Sequence, residues 1–228
     1  MSQRQPPVQQ PPPVQRVRLR YAKRGRARFA SHRDFSRAFE RALRRAKVPM
    51  AFSSGFSPHP RISYLNAAPT GAASEAEYVE IALAQRIDPE SLMQGLKRAL
   101  PDGFALLAAH ESDGEIQMSA SRWQCRVPDA DPVKLREAAK ALWEQVETVV
   151  RREEKNRDVN VRPAILKLDV SADGLIDLIS VVDSPLVRPD DVMKALAIWY
   201  PELRELPPAV FIRLSQGSFD GTGIVDPF

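Results

Sequence analysis

From residue 17 the chain lays out strand, helix, strand, strand, helix, strand, and further on it lays out the same order again. That repeat restricts the folds open to the chain more than its composition does. Val17–Tyr21 alternates apolar with basic residues, the period of a half-buried strand. Ser31-His32-Arg33-Asp34 has the spacing of a capping box, with the Ser31 hydroxyl on an orphan amide and Asp34 returning the bond. The helix it opens carries Phe35, Ala38, Phe39, Ala42, Leu43 and Ala46 as one apolar stripe and stops at Pro49. Arg61–Leu65 and Tyr78–Ala84 alternate as strands. Asp88-Pro89-Glu90 predicts a second helix through Leu100, with proline in its first turn, and Pro101-Asp102-Gly103 turns it into a strand over Phe104–Glu111.

After a turn at Asp113-Gly114 the pattern returns. Arg122–Val127 reads as a strand and Pro132–Arg152 as a long amphipathic helix. Asn160–Val170 and Gly174–Val182 read as a hairpin around Ser171-Ala172-Asp173-Gly174. Arg188-Pro189-Asp190-Asp191 opens a helix that ends before Pro201, and Ala209–Leu214 closes as a strand. Two β-α-β-β-α-β units predict an α+β protein of two tandem ferredoxin-like domains, each a four-stranded antiparallel sheet with its helices on one face. The boundaries that follow are a disordered Pro/Gln-rich tail over 1–15, a basic domain over 16–115, an acidic domain over 116–215 and a flexible, Gly-rich tail over 216–228.

Charge divides the chain in the same way. Residues 1–66 hold fifteen Lys or Arg against Asp34 and Glu40, whereas the net charge of the whole is only +4, so the remainder is acidic. A cationic half on an acidic remainder is arranged to meet a polyanion, and nucleic acid is the first candidate because neutralised phosphates release counterions. On the first helix Arg33, Arg37 and Arg41 recur at i,i+4, where like charges repel, and Arg44 and Arg45 follow. A sequence that tolerates this repulsion predicts an anion from outside; the alternative is a merely solvated face. Arg18, Arg20, Lys23, Arg24, Arg26 and Arg28 are expected to add to it.

The loop Ser54-Gly55-Phe56-Ser57-Pro58-His59-Pro60-Arg61 is the most distinctive local stretch. Two prolines stiffen it, Gly55 permits a turn that other residues resist, and Phe56 and His59 offer flat rings beside Arg61 for stacking unpaired bases. The competing reading is an ordinary turn with Phe56 tucked into the core. His32 stands at a helix N-terminus among arginines, which favours the neutral, base-competent imidazole. It is the one candidate general base for a metal-independent ribonuclease, set against a purely structural histidine.

Other features narrow the options. No apolar run approaches the roughly 18 residues that span a bilayer, and no signal-peptide core follows Met1, so no membrane association is expected. Cys125 alone fits a reducing cytoplasm, and with His32, His59 and His110 it leaves no ligand set for a Cys/His zinc or iron–sulfur site; no cofactor is expected. Glu77 lies in an alternation that a strand requires, and Asp183, Asp190 and Asp191 read as turn and helix-start acids. Trp123, Trp143 and Trp199 are expected in the core of the second domain, and Cys125 as a small buried hydrophobe.

Phe29, Ser31, His32 and Asp34, then Arg41-Ala42, Arg44-Arg45-Ala46, Pro49, Ser53, Gly55-Phe56, Pro58 and Pro60, followed by Gly71, Ser74 and Tyr78, resemble the signature of the bacterial radical-SAM-linked proteins, a domain of unknown function. The likeness is dense over about fifty residues of the first domain and holds only in general pattern over the second. It implies a partner, either a cobalamin-binding radical-SAM protein or a ribonuclease E/G-type enzyme, in an RNA-related setting. The chain has no Cys-x-x-x-Cys-x-x-Cys site and is therefore not itself the radical enzyme.

The expectation is an RNA-binding accessory protein. Arg33, Arg37, Arg41, Arg44, Arg45 and Arg61 would hold phosphates, with Phe56 and His59 against bases, and the second domain would dock a protein. The alternatives are a metal-independent endoribonuclease or RNA-modification subunit with His32 as base, and a protein-interaction module without RNA.

Overall fold

The computed structural model describes residues 9–112, 114 and 116–228. The expected tail over 1–15 therefore lies outside the described residues for its first eight positions, and so do Asp113 and Glu115 at the expected turn. The fold is a mixed α+β one, with mostly antiparallel strands and, among the described residues, four α-helices. Two compact units emerge: one draws on Met1–Thr70 and Ala76–Glu115, the other on Gly71–Glu75 and Ile116–Phe228.

In the first unit, β1 (Gln15–Lys23) buries Val17, Leu19 and Tyr21 on one side, as its alternation requires. Helix α1 (His32–Arg45) lays Phe35, Ala38, Phe39, Ala42 and Leu43 onto that side. Strands β2 (Ile62–Leu65) and β3 (Ala73–Leu83) pair antiparallel, with Ile62 opposite Ile81 and Leu65 opposite Tyr78. Helix α2 (Pro89–Lys97) starts on Asp88, whose carboxylate accepts the Ser91 amide at 2.9 Å, and buries Leu92, Met93 and Leu96 in the same core. It ends three residues before the expected Leu100. Strand β4 (Phe104–Glu111) covers the expected residues and pairs antiparallel with β1. The strand order is β4-β1-β3, with β2 on β3. Gly103, at φ +88°, precedes β4; a Cβ there would stand 2.6 Å from that of Ala27, so only glycine lets the turn over Gly25–Phe29 sit this close.

The second unit is built from β5 (Ala120–Arg126), α3 (Pro132–Trp143), a ribbon of β6 (Val149–Arg152) and β7 (Arg157–Asn160), then β8 (Ile165–Val170), β9 (Ile176–Val181), α4 (Pro189–Leu196), β10 (Val210–Phe219) and β11 (Ile224–Val225). Its strands run in the order β10-β5-β9-β8, with β11 on β10. Ala73 and Ser74 run parallel to Ile212 and Arg213, which is why their segment groups with this unit.

Three expectations are corrected here. The helix predicted over Pro132–Arg152 ends at Trp143, and Val149–Arg152 is a strand. The β-branched run Val146, Thr148, Val149 and Val150 disfavours a helix, and Arg162 Nε takes the free Trp143 carbonyl at 3.0 Å. The strand predicted over Asn160–Val170 is broken by a 3₁₀ turn over Arg162–Ala164, where Pro163 has no amide to donate. The closing strand passes Leu214 and runs to Phe219, so residues assigned to the tail supply paired strand. Among the tryptophans, Trp123 is buried but Trp143 is 44% exposed.

A buried ion pair ties the ribbon to α4. Arg152 bonds Asp191 through both carboxylate oxygens, and Asp191 also accepts the Arg188 amide at 2.8 Å. Removing one member of such a pair strands the other charge. Asp191→Ala should therefore lower the unfolding free energy by about 3 kcal/mol, read from the midpoint of a urea transition. Burial, and secondarily Asp177, push the Cys125 thiol up to about 12. The native protein should thus be inert to an aromatic disulfide reagent at about pH 8 and react only once denatured.

Candidate nucleic-acid interface

The apolar stripe of α1 decides where its arginines go. With Phe35, Phe39 and Leu43 sunk in the core, Arg33, Arg37, Arg41, Arg44 and Arg45 stand exposed on the opposite side. Arg44 meets Glu40 at 3.7 Å; among the described residues no carboxylate forms an ion pair with Arg33, Arg37, Arg41 or Arg45. The capping box sets the helix start. Ser31 Oγ accepts the Asp34 amide at 3.2 Å, and Asp34 accepts the Ser31 amide at 3.0 Å and its hydroxyl at 2.7 Å. The Ser31 hydroxyl first, then its amide, with Arg37 assisting, hold the Asp34 carboxyl below the usual carboxylate range.

The loop after α1 is closed by backbone. Ser53 N–H donates to the His59 carbonyl at 2.9 Å, and His59 N–H returns a bond to Ser53 Oγ at 3.0 Å. Gly55 turns at φ +130°, and Phe56 projects into solvent at 70% exposure, so the reading that tucks it into the core does not hold. His59 is exposed as well. Arg61 is half-buried and its Nε is committed to the Phe52 carbonyl at 3.1 Å, which braces the base of the loop. Among the described residues, no hydrogen bond, ion pair or ring contact joins the loop tip to the α1 arginines, although both groups belong to one unit.

His32 begins α1 and meets Tyr64 edge-on at 4.8 Å. The Tyr64 hydroxyl is buried with no hydrogen-bond partner among the described residues; burial, then the Glu40 charge, raise its pKa, against a smaller opposing effect of Ser36. Tyr64 therefore stays protonated at neutral pH. No carboxylate hydrogen-bonds the His32 ring among the described residues. Among the described residues, no three His, Cys, Asp or Glu side chains gather where a metal ion could sit.

Some expected members of the cationic face are used elsewhere. Arg18 is drawn into a network with Glu80 at 3.3 Å, the Ser112 hydroxyl at 2.9 Å and the Gly114 carbonyl at 2.6 Å. Lys23 is buried and reaches the Pro69 carbonyl at 3.4 Å. Two aromatic residues escaped the sequence reading. Phe29 is 59% exposed with the Arg28 guanidinium 4.6 Å from its ring centre, and Phe52 is exposed at the loop base. The available signal for Phe29 was its position before the cap, off the helical stripe and among basic residues.

Ser31→Ala should cost about 1 kcal/mol of stability through the lost cap. The contribution of Asp34 to stability is present above the ordinary carboxylate pKa, because its folded value is the lower one, and fades as pH falls through that folded value. An Asp34→Asn variant should lose this acid-side dependence, measured as the pH profile of thermal unfolding.

Residues 16–189 match a family model described as an uncharacterized protein conserved in bacteria, DUF2344. No curated protein matches the chain. Among the described residues no helix is long and apolar enough to cross a membrane. Because the match takes in both units and well over half of the sequence, the chain belongs to the bacterial DUF2344 family.

Proposed function

We propose that this protein is an RNA-binding accessory protein built from two ferredoxin-like units, and that α1 is its phosphate-binding element. The carrying observation is the exposed row Arg33, Arg37, Arg41 and Arg45, for which the described residues provide no ion-pair partner. Such a row is held against its own repulsion by the core beneath it, and a polyanion relieves that repulsion. The exposed rings of Phe56 and Phe29 suit unpaired bases better than a duplex, since side chains stack only on bases that are not already stacked.

Support for the ferredoxin-like reading comes from the two strand orders. In each unit the fourth strand lies beside the first, the third on its other side, and the second at the edge. The partner implied by the signature, a radical-SAM protein or a ribonuclease E/G-type enzyme, is taken to meet the acidic second unit, and the whole to act in the cytoplasm.

The test is fluorescence anisotropy of a labelled single-stranded RNA titrated at increasing salt. The logarithm of affinity should fall steeply with that of salt, by roughly 0.7 for each phosphate contacted. Arg37→Glu with Arg41→Glu should abolish most of the affinity and flatten the slope while leaving circular dichroism unchanged. Equal affinity in the double variant would overturn the assignment.

A further inference from the structure

On the second unit, β8 is the last strand of its sheet, and a groove of about 640 Å³ runs between it and α3. Arg136, Lys140 and Trp143 line it from the helix, spaced by four and three residues and so on one side of it; Leu166, Leu168 and the paired Lys167 and Asp169 line it from the strand. An edge strand carries outward backbone donors and acceptors that no further strand takes up. The helix wall carries an anchor as well. Trp143 is exposed, and the Arg162 guanidinium stacks 4.3 Å from its ring centre while donating to its carbonyl at 3.0 Å and to that of Ile165 at 3.3 Å. The indole is thus held rigid, at low entropic cost to a ligand that packs on it.

Charge identifies the occupant. Lys167 is engaged by Asp169 and Asp177, each at 3.2 Å, whereas Arg136 has no ion pair among the described residues and Lys140 reaches Glu144 only at 4.0 Å. These cations sit in a unit that holds fifteen basic against nineteen acidic residues. A long polyanion would be repelled by that unit beyond the groove; a short acidic segment would not. We propose that the groove takes an extended segment of a partner protein in which acidic and apolar residues alternate. The segment adds to β8 as a further strand, its acids toward Arg136 and Lys140 and its apolar residues toward Leu166, Leu168 and Trp143. This goes beyond the RNA reading and rests on different residues.

The probe is a fluorescein-labelled peptide of about eight residues, glutamate alternating with valine, titrated into the full chain. Binding with a Kd below about 1 mM is expected, together with slowed amide exchange over Ile165–Val170. Arg136→Glu with Lys140→Glu should weaken it at least tenfold. The same peptide N-methylated at alternate residues should lose as much, and this arm leaves the protein unaltered. The Arg37→Glu, Arg41→Glu variant should bind the peptide as wild type does, which separates this groove from the fate of the RNA proposal. No binding, full binding of the N-methylated peptide, or displacement of the peptide by an oligouridylate would each overturn it.

Discussion

Burial of Phe35 and Phe39 against β1 is the constraint from which the rest of the first unit follows. The Phe35 ring stacks on Tyr21 at 4.1 Å and on Phe39 at 5.5 Å, and meets Phe104 at 5.0 Å. Truncating a buried phenylalanine typically costs about 3–5 kcal/mol. Repulsion between exposed like charges at i,i+4 is worth only about 0.2–0.5 kcal/mol per pair. The aromatic stripe therefore decides the rotation of α1, and the arginines are carried outward whether or not an anion is present. This is a physical route from core packing to a surface: the side that is buried dictates the side that is displayed.

Arginine is used in two different ways in this chain. In the second unit Arg122 makes a two-pronged pair with Asp177 at 2.7 and 3.0 Å, Arg152 pairs with Asp191, and Arg162 covers Trp143. In the first unit Arg18 is similarly absorbed by Glu80 and Ser112. The α1 row differs because its neighbours on the exposed side are other arginines and two acids, Asp34, which is committed to the Ser31 cap, and Glu40, which meets Arg44. Unspent guanidinium groups with room for two-pronged phosphate contacts distinguish a binding surface from structural charge.

The sequence was most legible where period and punctuation agreed. The start of α1 followed from Ser31 and Asp34, its buried side from the spacing of Phe35 to Leu43, and β4 from the turn at Pro101-Asp102-Gly103. It was least legible after Trp143. There the apolar spacing continues without a break, and only the β-branched residues hint at a change of state. The tilt was settled by Arg162, nineteen residues away, reaching the Trp143 carbonyl, and by Asn160, whose side chain accepts the Thr148 amide at 2.9 Å. Contacts of that range leave no periodic trace.

By itself the sequence determined the α+β class, the capped and amphipathic α1, and the concentration of positive charge in its first third, because each depends on neighbours within a few turns or on composition alone. Tertiary structure decided which cations remain available. Arg18 and Lys23 look like Arg37 and Arg41 in the sequence, but the first two are taken up by Glu80, Ser112 and the Pro69 carbonyl. It also decided that Phe56 stands in solvent and that Trp143 lines a groove beside an edge strand. The physical reason is the same in each case: hydrogen bonds and exposure are set by groups that approach from distant parts of the chain, and local pattern carries no information about them.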